Sequence, residues 1–112
     1  MHDLIADDDD TAIAAVTVAE LLVGAWLATG KRRAARQAFV DAIVSAVPVI
    51  AYDLRVARTH ARLLFAARQS GRPRGAHDLL VAATAVASRR TVVTADPTGF
   101  EGLPGVELLR HC

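Results

Sequence analysis

Short apolar runs alternate along this chain with longer segments of helical periodicity, and this alternation limits the possible folds more than any other feature. The runs with β-strand character are "AIAAV" at 12–16, "VPVIAY" at 47–52, "TVVTAD" at 91–96 and "VELL" at 106–109. Each of the first three is followed or preceded by a segment long enough for a helix. Such alternation is typical of a parallel sheet flanked by helices. The sequence therefore predicts an α/β fold.

Four segments carry the helical pattern. They are 17–30, 31–46, 53–69 and 76–90. Thr17 is predicted to cap the first helix, with Glu20 completing a capping box and Gly30 ending the helix. Asp53 is predicted to cap the third helix. The fourth is mostly apolar, so we expect it to be largely buried.

The size and apolar content of the chain indicate one domain spanning residues 1–112. Of its 112 residues 53% are hydrophobic, which is enough for a sizeable core. The apolar runs are much shorter than the roughly 20 residues of a membrane-spanning helix, and no signal-peptide pattern opens the chain. The single cysteine, Cys112, excludes an internal disulfide. We therefore predict a soluble, cytoplasmic protein that does not enter a membrane.

Charge is distributed unevenly along the chain. The net charge is +1, but residues 1–20 hold six acidic and no basic residues. Twelve of the 13 basic residues are arginines, whose planar guanidinium groups suit phosphate. The arginine content is therefore compatible with a nucleic-acid partner. The alternative is that these arginines lie on ordinary solvated helix surfaces.

Three acidic residues lie where α/β folds place functional groups, near strand ends and helix starts. Glu20 is in the first turn of a predicted helix, Asp78 opens the buried helix, and Asp96 directly follows a strand. Each also has a structural explanation, as a capping box, a helix N-terminus or an Asp-Pro turn. Together they predict a carboxylate cluster that binds Mg²⁺ or Mn²⁺ and supports phosphodiester hydrolysis.

The four contiguous aspartates at 7–10 are a weaker candidate for chemistry. Neighbouring side chains diverge in a loop or strand and repel one another, so this run predicts a solvated loop. The segment "MHDLI" before it predicts one weak helical turn. The strong apolar strand that usually opens an α/β sheet is therefore missing.

Three blocks together resemble the PIN-domain ribonucleases, and specifically the VapC toxins of bacterial toxin–antitoxin pairs. They are "TVAELLVGA", "GAHDLLVAATA" and "TVVTADPTGFEGLPGVEL", and the resemblance covers residues 11–109. It implies a three-layer PIN-like fold with Glu20, Asp78 and Asp96 as catalytic metal ligands. It also implies Mg²⁺-dependent endonucleolytic cleavage of tRNA or rRNA, a VapB-like antitoxin partner and a homodimer.

The sequence departs from this family at its beginning. PIN domains open with an apolar strand that ends in aspartate, and no such element precedes "AIAAV". We therefore expect a truncated or late-start form that leaves a hydrophobic slot in the sheet, binds Mg²⁺ weakly and cleaves RNA poorly. One alternative is a non-catalytic PIN-like module that still dimerises and binds an antitoxin. Another is a structural subunit whose three acids are dispersed.

Other polar residues close to these acids are candidates for RNA contacts. They are Arg72, Arg74, His77 and Thr94. The alternative for Arg72 and Arg74 is an ordinary solvated surface. For His77 it is a polar neighbour at a helix start, and for Thr94 it is a strand end.

The few aromatic residues give little support for recognition by base stacking. Trp26 is predicted to lie in the core or at a dimer interface. Phe39, Phe65 and Phe100 are predicted to lie in the core.

Overall fold

The computed structural model describes residues 4–6, 11–94 and 97–110. The strands of this part are β1 (Leu4–Ala6), β2 (Thr11–Ala14), β3 (Val49–Ile50), β4 (Thr91–Thr94) and β5 (Leu108–Arg110). The helices are α1 (Ala15–Leu27), α2 (Gly30–Ala46), α3 (Leu54–Ser70) and α4 (Ala76–Ala87). A 3₁₀ turn over Pro97–Gly99 follows β4 along the chain. The predicted α/β fold is confirmed.

The strands form one sheet in the order β3-β2-β1-β4-β5. The β2–β3 and β4–β5 pairs are parallel, whereas β1 is antiparallel to both of its neighbours. Strands β2, β3, β4 and β5 therefore all run in the same direction. Their carboxyl ends meet at one edge of the sheet, where α/β proteins bind ligands.

The short strand β1 fills the centre of the sheet, where a hydrophobic slot was expected. Ile5 pairs with Ala12 on one side and with Val92 on the other, and its side chain is only 1% exposed. Strands β2 and β4 would otherwise each present unpaired backbone groups to this gap, which is costly inside a protein. The prediction of a helical turn is thus wrong over Leu4–Ala6. Residues 7–10, with the aspartate run, lie outside the described residues.

Two clusters of side chains make up the core. The larger joins β1, β4, α3 and α4, and it includes the buried Ile5, Leu63, Val92 and Phe100. Helix α4 contributes an almost continuous buried run from Leu79 to Ala85, as its apolar sequence predicts. The smaller cluster joins β2, α1 and α2 through Ile13, Leu21 and Val40. Within the described residues, no helix is long and apolar enough to cross a membrane.

The helix ends match the sequence predictions in one case and differ in two. Asp53 caps α3, since its side chain accepts a hydrogen bond from the backbone N–H of Val56 at 3.0 Å. Thr17 does not cap α1, because β2 leads straight into this helix and Thr17 lies within its first turn. Gly30 does not end α1 either. It opens α2 with a φ of +58°, a conformation that glycine adopts without strain.

The aromatic residues divide between core and surface. Phe100 is buried as predicted, but Phe39 and Phe65 are 52% and 65% exposed. Trp26 is 60% exposed, which excludes a place in the core. Apolar character alone does not reveal which side of a helix the rest of the chain will cover.

Candidate active site at the carboxyl edge of the sheet

The first turns of α1 and α4 and the Pro97–Gly99 turn come together near the carboxyl edge of the sheet. Helix α1 begins directly after β2, and Pro97 lies three residues after the end of β4. The side chains of Thr17 and His77 join α1 to α4, while Asp78 lies against Gly99. This edge therefore gathers residues that are far apart in the sequence.

Asp78 is closely packed at this edge. It lies in the first turn of α4, where a carboxylate interacts favourably with the helix dipole, and it is half-buried. A Cβ at Gly99 would overlap the Asp78 Oδ2 atom and would lie 2.8 Å from its Cγ. A Cβ at Gly75 would lie 3.4 Å from Oδ2. The absence of side chains at both glycines therefore leaves the space that the Asp78 carboxylate occupies.

His77 forms a contact between two helices. Its Nε2 atom lies 3.4 Å from the Oγ1 atom of Thr17, whose side chain is almost fully buried. The contact fixes the start of α4 against the start of α1. That His77 touches RNA stays a prediction, and the observed hydrogen bond gives this side chain a structural role as well.

Glu20 lies one helical turn after Thr17 on α1, and its side chain is exposed. It lines a depression of about 400 Å³ together with Val16, Ala19 and Val23. Because α1 begins at Ala15, Glu20 is beyond the position that completes a capping box. The helix-capping explanation of Glu20 is thereby removed, and its carboxylate is open to a ligand.

The guanidinium groups of Arg72 and Arg74 hold the turn that contains Gly99. Arg72 Nη2 and Arg74 Nη1 donate to the carbonyl oxygen of Thr98 at 3.3 and 3.4 Å, and Arg74 Nη2 donates to the carbonyl of Glu101. Burial and the neighbouring charge of Arg72 lower the pKa of Arg74, while Glu101 and Asp78 act in the opposite direction. RNA binding by these arginines stays a prediction, and both also act as a clamp on the turn.

The described residues do not by themselves form a complete metal site. Among them, no group of three or more His, Cys, Asp or Glu side chains is placed to hold a metal ion. Asp96 and the side chain of Thr94 lie outside the described part, so their predicted roles stay predictions. Glu20 and Asp78 supply carboxylate oxygens, which are the donor type that Mg²⁺ and Mn²⁺ prefer.

Gly99 is the residue of this edge that sequence reasoning missed. Nothing in the spacing of Gly99 relates it to Asp78, which is 21 positions earlier. Arg68, which borders the same region, was also overlooked, because it stands in the last turn of α3 outside any basic run. Only the three-dimensional packing reveals these neighbours.

Comparison with known proteins identifies the family to which this fold belongs. The family model for the PIN domain matches residues 1–104, and the chain belongs to the PIN-domain family. The family resemblance of its three sequence blocks is therefore confirmed.

Two relatives of known name are VapC proteins. The chain is 40% identical over 93 residues to VapC ribonuclease Y4jK of Sinorhizobium fredii, which covers 80% of this chain and 66% of that protein. It is 27% identical over 106 residues to ribonuclease VapC2 of Rickettsia felis, covering 95% and 78% respectively. The matches thus span about two thirds of the length of the first relative and about three quarters of the second.

Solved structures agree in fold. VapBC2 of Rickettsia felis, bound to a DNA fragment from its promoter, matches 90% of this chain and 74% of its own, with a TM-score of 0.81 and 27% identity. VapBC-5 of Mycobacterium tuberculosis, a member of the VapBC family of toxin–antitoxin systems, matches 89% and 81%, with a TM-score of 0.80 and 33% identity. The chain is therefore similar to chains of VapBC assemblies over most of its length.

Proposed function

We propose that this chain is the toxin of a VapBC-type toxin–antitoxin pair and that it is a metal-dependent endoribonuclease. The observation that carries the proposal is the position of Asp78 in a PIN-family fold. Its half-buried carboxylate lies at the start of α4 and packs against Gly99. The similarity to two proteins named VapC ribonucleases supports the same activity. The substrates we propose are structured RNAs of the tRNA or rRNA class.

The proposed chemistry is hydrolysis of a phosphodiester bond with Mg²⁺ or Mn²⁺ as cofactor. Glu20, Asp78 and Asp96 would hold the metal, which supplies charge stabilisation and activates water when bound. The Asp78 carboxylate is oriented by its contact with Gly99 and by the clamp that Arg72 and Arg74 form on the same turn. Fixed side chains need little reorganisation when charge develops during reaction.

The proposed partners are a VapB-like antitoxin and a second copy of the chain. Helices α1 and α2 leave large apolar side chains exposed, among them Val23, Trp26, Leu27 and Phe39. Exposed apolar residues grouped on neighbouring helices are typical of protein–protein interfaces. The solved VapBC assemblies of toxin–antitoxin systems support the proposed antitoxin partner.

A second candidate is a non-catalytic PIN-like module that binds an antitoxin. In such a module Asp96 would not complete a metal site with Glu20 and Asp78, the two candidate carboxylates within the described residues. The two candidates differ in one property that is easily measured, which is metal-dependent cleavage of RNA.

The test is cleavage of total tRNA and of structured rRNA fragments by the purified protein with Mg²⁺, Mn²⁺ or EDTA. We expect cleavage that requires metal and falls at least about 100-fold in Asp78→Asn. Asp41→Asn is the matched control, since Asp41 is an exposed acid on α2 whose carboxylate accepts from Gln37. Cleavage that persists in Asp78→Asn, or no cleavage with any metal, would reject the proposed enzyme, and the latter would favour the binding module.

A further inference from the structure

A depression of about 400 Å³ lies between the end of α3 and the start of α4. Three arginines, Arg68, Arg72 and Arg74, line it together with an apolar wall that includes Leu64, Pro73 and Leu79. Binding sites for small molecules have volumes of about 300–1,000 Å³ and combine apolar walls with a few polar groups. The depression has the size and the composition of a nucleotide site.

The charged side chains that line this depression, within the part of the chain that the structure describes, are all arginines. Burial and the charge of Arg72 lower the pKa of Arg74, while Glu101 and Asp78 act in the opposite direction. A bound anion would relieve the repulsion between Arg72 and Arg74, and guanidinium groups form strong paired hydrogen bonds with phosphate.

The arginines are also partly pre-organised and retain free donors. Arg72 and Arg74 are held by carbonyl groups of the turn, yet each guanidinium has five N–H groups. The Nε atom of Arg74 is buried and has no hydrogen-bond partner within the described residues. The exposed Arg68 side chain makes no hydrogen bond or ion pair to the described part of the chain. A phosphate would therefore meet Arg68 and the Nη groups of Arg72 and Arg74, whereas the buried Arg74 Nε lies beneath the surface.

The depression adjoins the candidate active site. Leu79, part of its wall, directly follows Asp78, and Arg72 and Arg74 both donate to the carbonyl of Thr98, next to the Gly99 that packs against Asp78. We propose that the depression is a nucleotide subsite for the RNA substrate, in which Arg68, Arg72 and Arg74 bind a phosphate while the ribose or base packs on the apolar wall. This proposal rests on the proposed ribonuclease function and adds to it a site next to the scissile bond.

Arg68 is the best residue for a test, since Arg72 and Arg74 also hold the turn. The first measurement is fluorescence anisotropy of a labelled single-stranded oligoribonucleotide with Asp78→Asn protein, in which cleavage is removed. Arg68→Gln in this background should weaken binding about tenfold. It should also reduce the slope of log affinity against log salt by about 0.7, the value for one lost phosphate contact.

Arg62→Gln is the matched control, because Arg62 is an exposed arginine of the same helix that lines a different depression. We expect it to change affinity less than about twofold, as surface charges outside a binding site contribute little. Arg68→Lys should restore part of the affinity, since lysine keeps the charge but loses the paired geometry. Equal affinity for the oligoribonucleotide in the Asp78→Asn protein with and without Arg68→Gln would overturn the subsite.

The second measurement is steady-state cleavage in chains that keep Asp78. Arg68→Gln should raise KM about tenfold and leave kcat within about twofold, which indicates lost substrate binding rather than lost chemistry. An unchanged KM would overturn the subsite while leaving the nuclease intact. RNA binding that depends on Arg68 without any cleavage would reject the nuclease and support the subsite. Arg68-dependent binding of an acidic peptide, with RNA binding independent of Arg68, would overturn the proposal in favour of a protein ligand.

Discussion

Gly99 and Asp78 share a space that admits only one side chain. The Asp78 carboxylate occupies the volume in which a β-carbon of residue 99 would lie. Asp78 itself could be singled out from the sequence, because it opens an apolar helix. Gly99 could not, because its role depends on contact between two segments that no local pattern connects. Candidate acids are thus readable from sequence more easily than the residues that orient them.

At this scale we predict that Gly99→Ala lowers the free energy of unfolding by about 1–3 kcal/mol, through overpacking against Asp78. Gly24→Ala is the matched control, since a Cβ at this helical position meets no atom within 4 Å. It should raise the free energy of unfolding by up to about 1 kcal/mol, because alanine favours helix. Urea unfolding measures both. Equal effects of the two substitutions would contradict the contact between Gly99 and Asp78.

The elements of the fold differ in how well the sequence predicts them. Helices α2, α3 and α4 lie close to their predicted bounds because periodicity and caps such as Asp53 are local signals. Strand β1 was missed, since three residues carry almost no pattern and its partners Ala12 and Val92 are elsewhere in the chain. The start of α1 was misplaced because β2 enters it without a loop. Long-range pairing thus decides what local propensity leaves open.

The central place of β1 predicts that Ile5→Ala is strongly destabilising. Ile5 is fully enclosed by the larger core cluster, so its truncation should cost about 2–5 kcal/mol. Val49→Ala, on the exposed edge strand β3, is the control and should cost less than about 1 kcal/mol. Chemical denaturation followed by circular dichroism gives both values. A cost below about 0.5 kcal/mol for Ile5→Ala would mean that β1 does not occupy the centre of the sheet.

At the scale of the whole molecule, the exposed apolar surface of α1 and α2 is the main feature without a described partner. Trp26 and Leu27 are among the most exposed large apolar residues of the described chain, and the exposed Phe39 of α2 lies beside Gly24 of α1. The sequence predicts Trp26 in the core or at a dimer interface, and its exposure rules out the core, so the interface stays a prediction. The hydrophobicity of these residues predicts that they are buried. It does not reveal whether they are buried in the core of the same chain or against a partner chain.

We predict a homodimer that this surface holds together. Trp26→Glu should convert it to a monomer in sedimentation velocity at micromolar concentration, because burying an unpaired carboxylate costs several kcal/mol. Tyr52→Glu is the control, as Tyr52 is an exposed aromatic residue outside α1 and α2. It should leave the dimer unchanged. A monomeric parent protein, or equal dissociation by both substitutions, would contradict this interface.

The pairing of β1 with β4 has a consequence for the order in which the molecule is made. Leu4 lies opposite Val93, so the middle of the sheet joins two ends of the sequence. A growing chain can form the α1–α2 and α3–α4 hairpins early, since domains acquire local structure as they emerge from the ribosome. The two parallel strand pairs, by contrast, cannot be joined until residue 93 has been synthesised. An unfinished nascent chain therefore lacks the assembled sheet edge at which Asp78 and Glu20 lie.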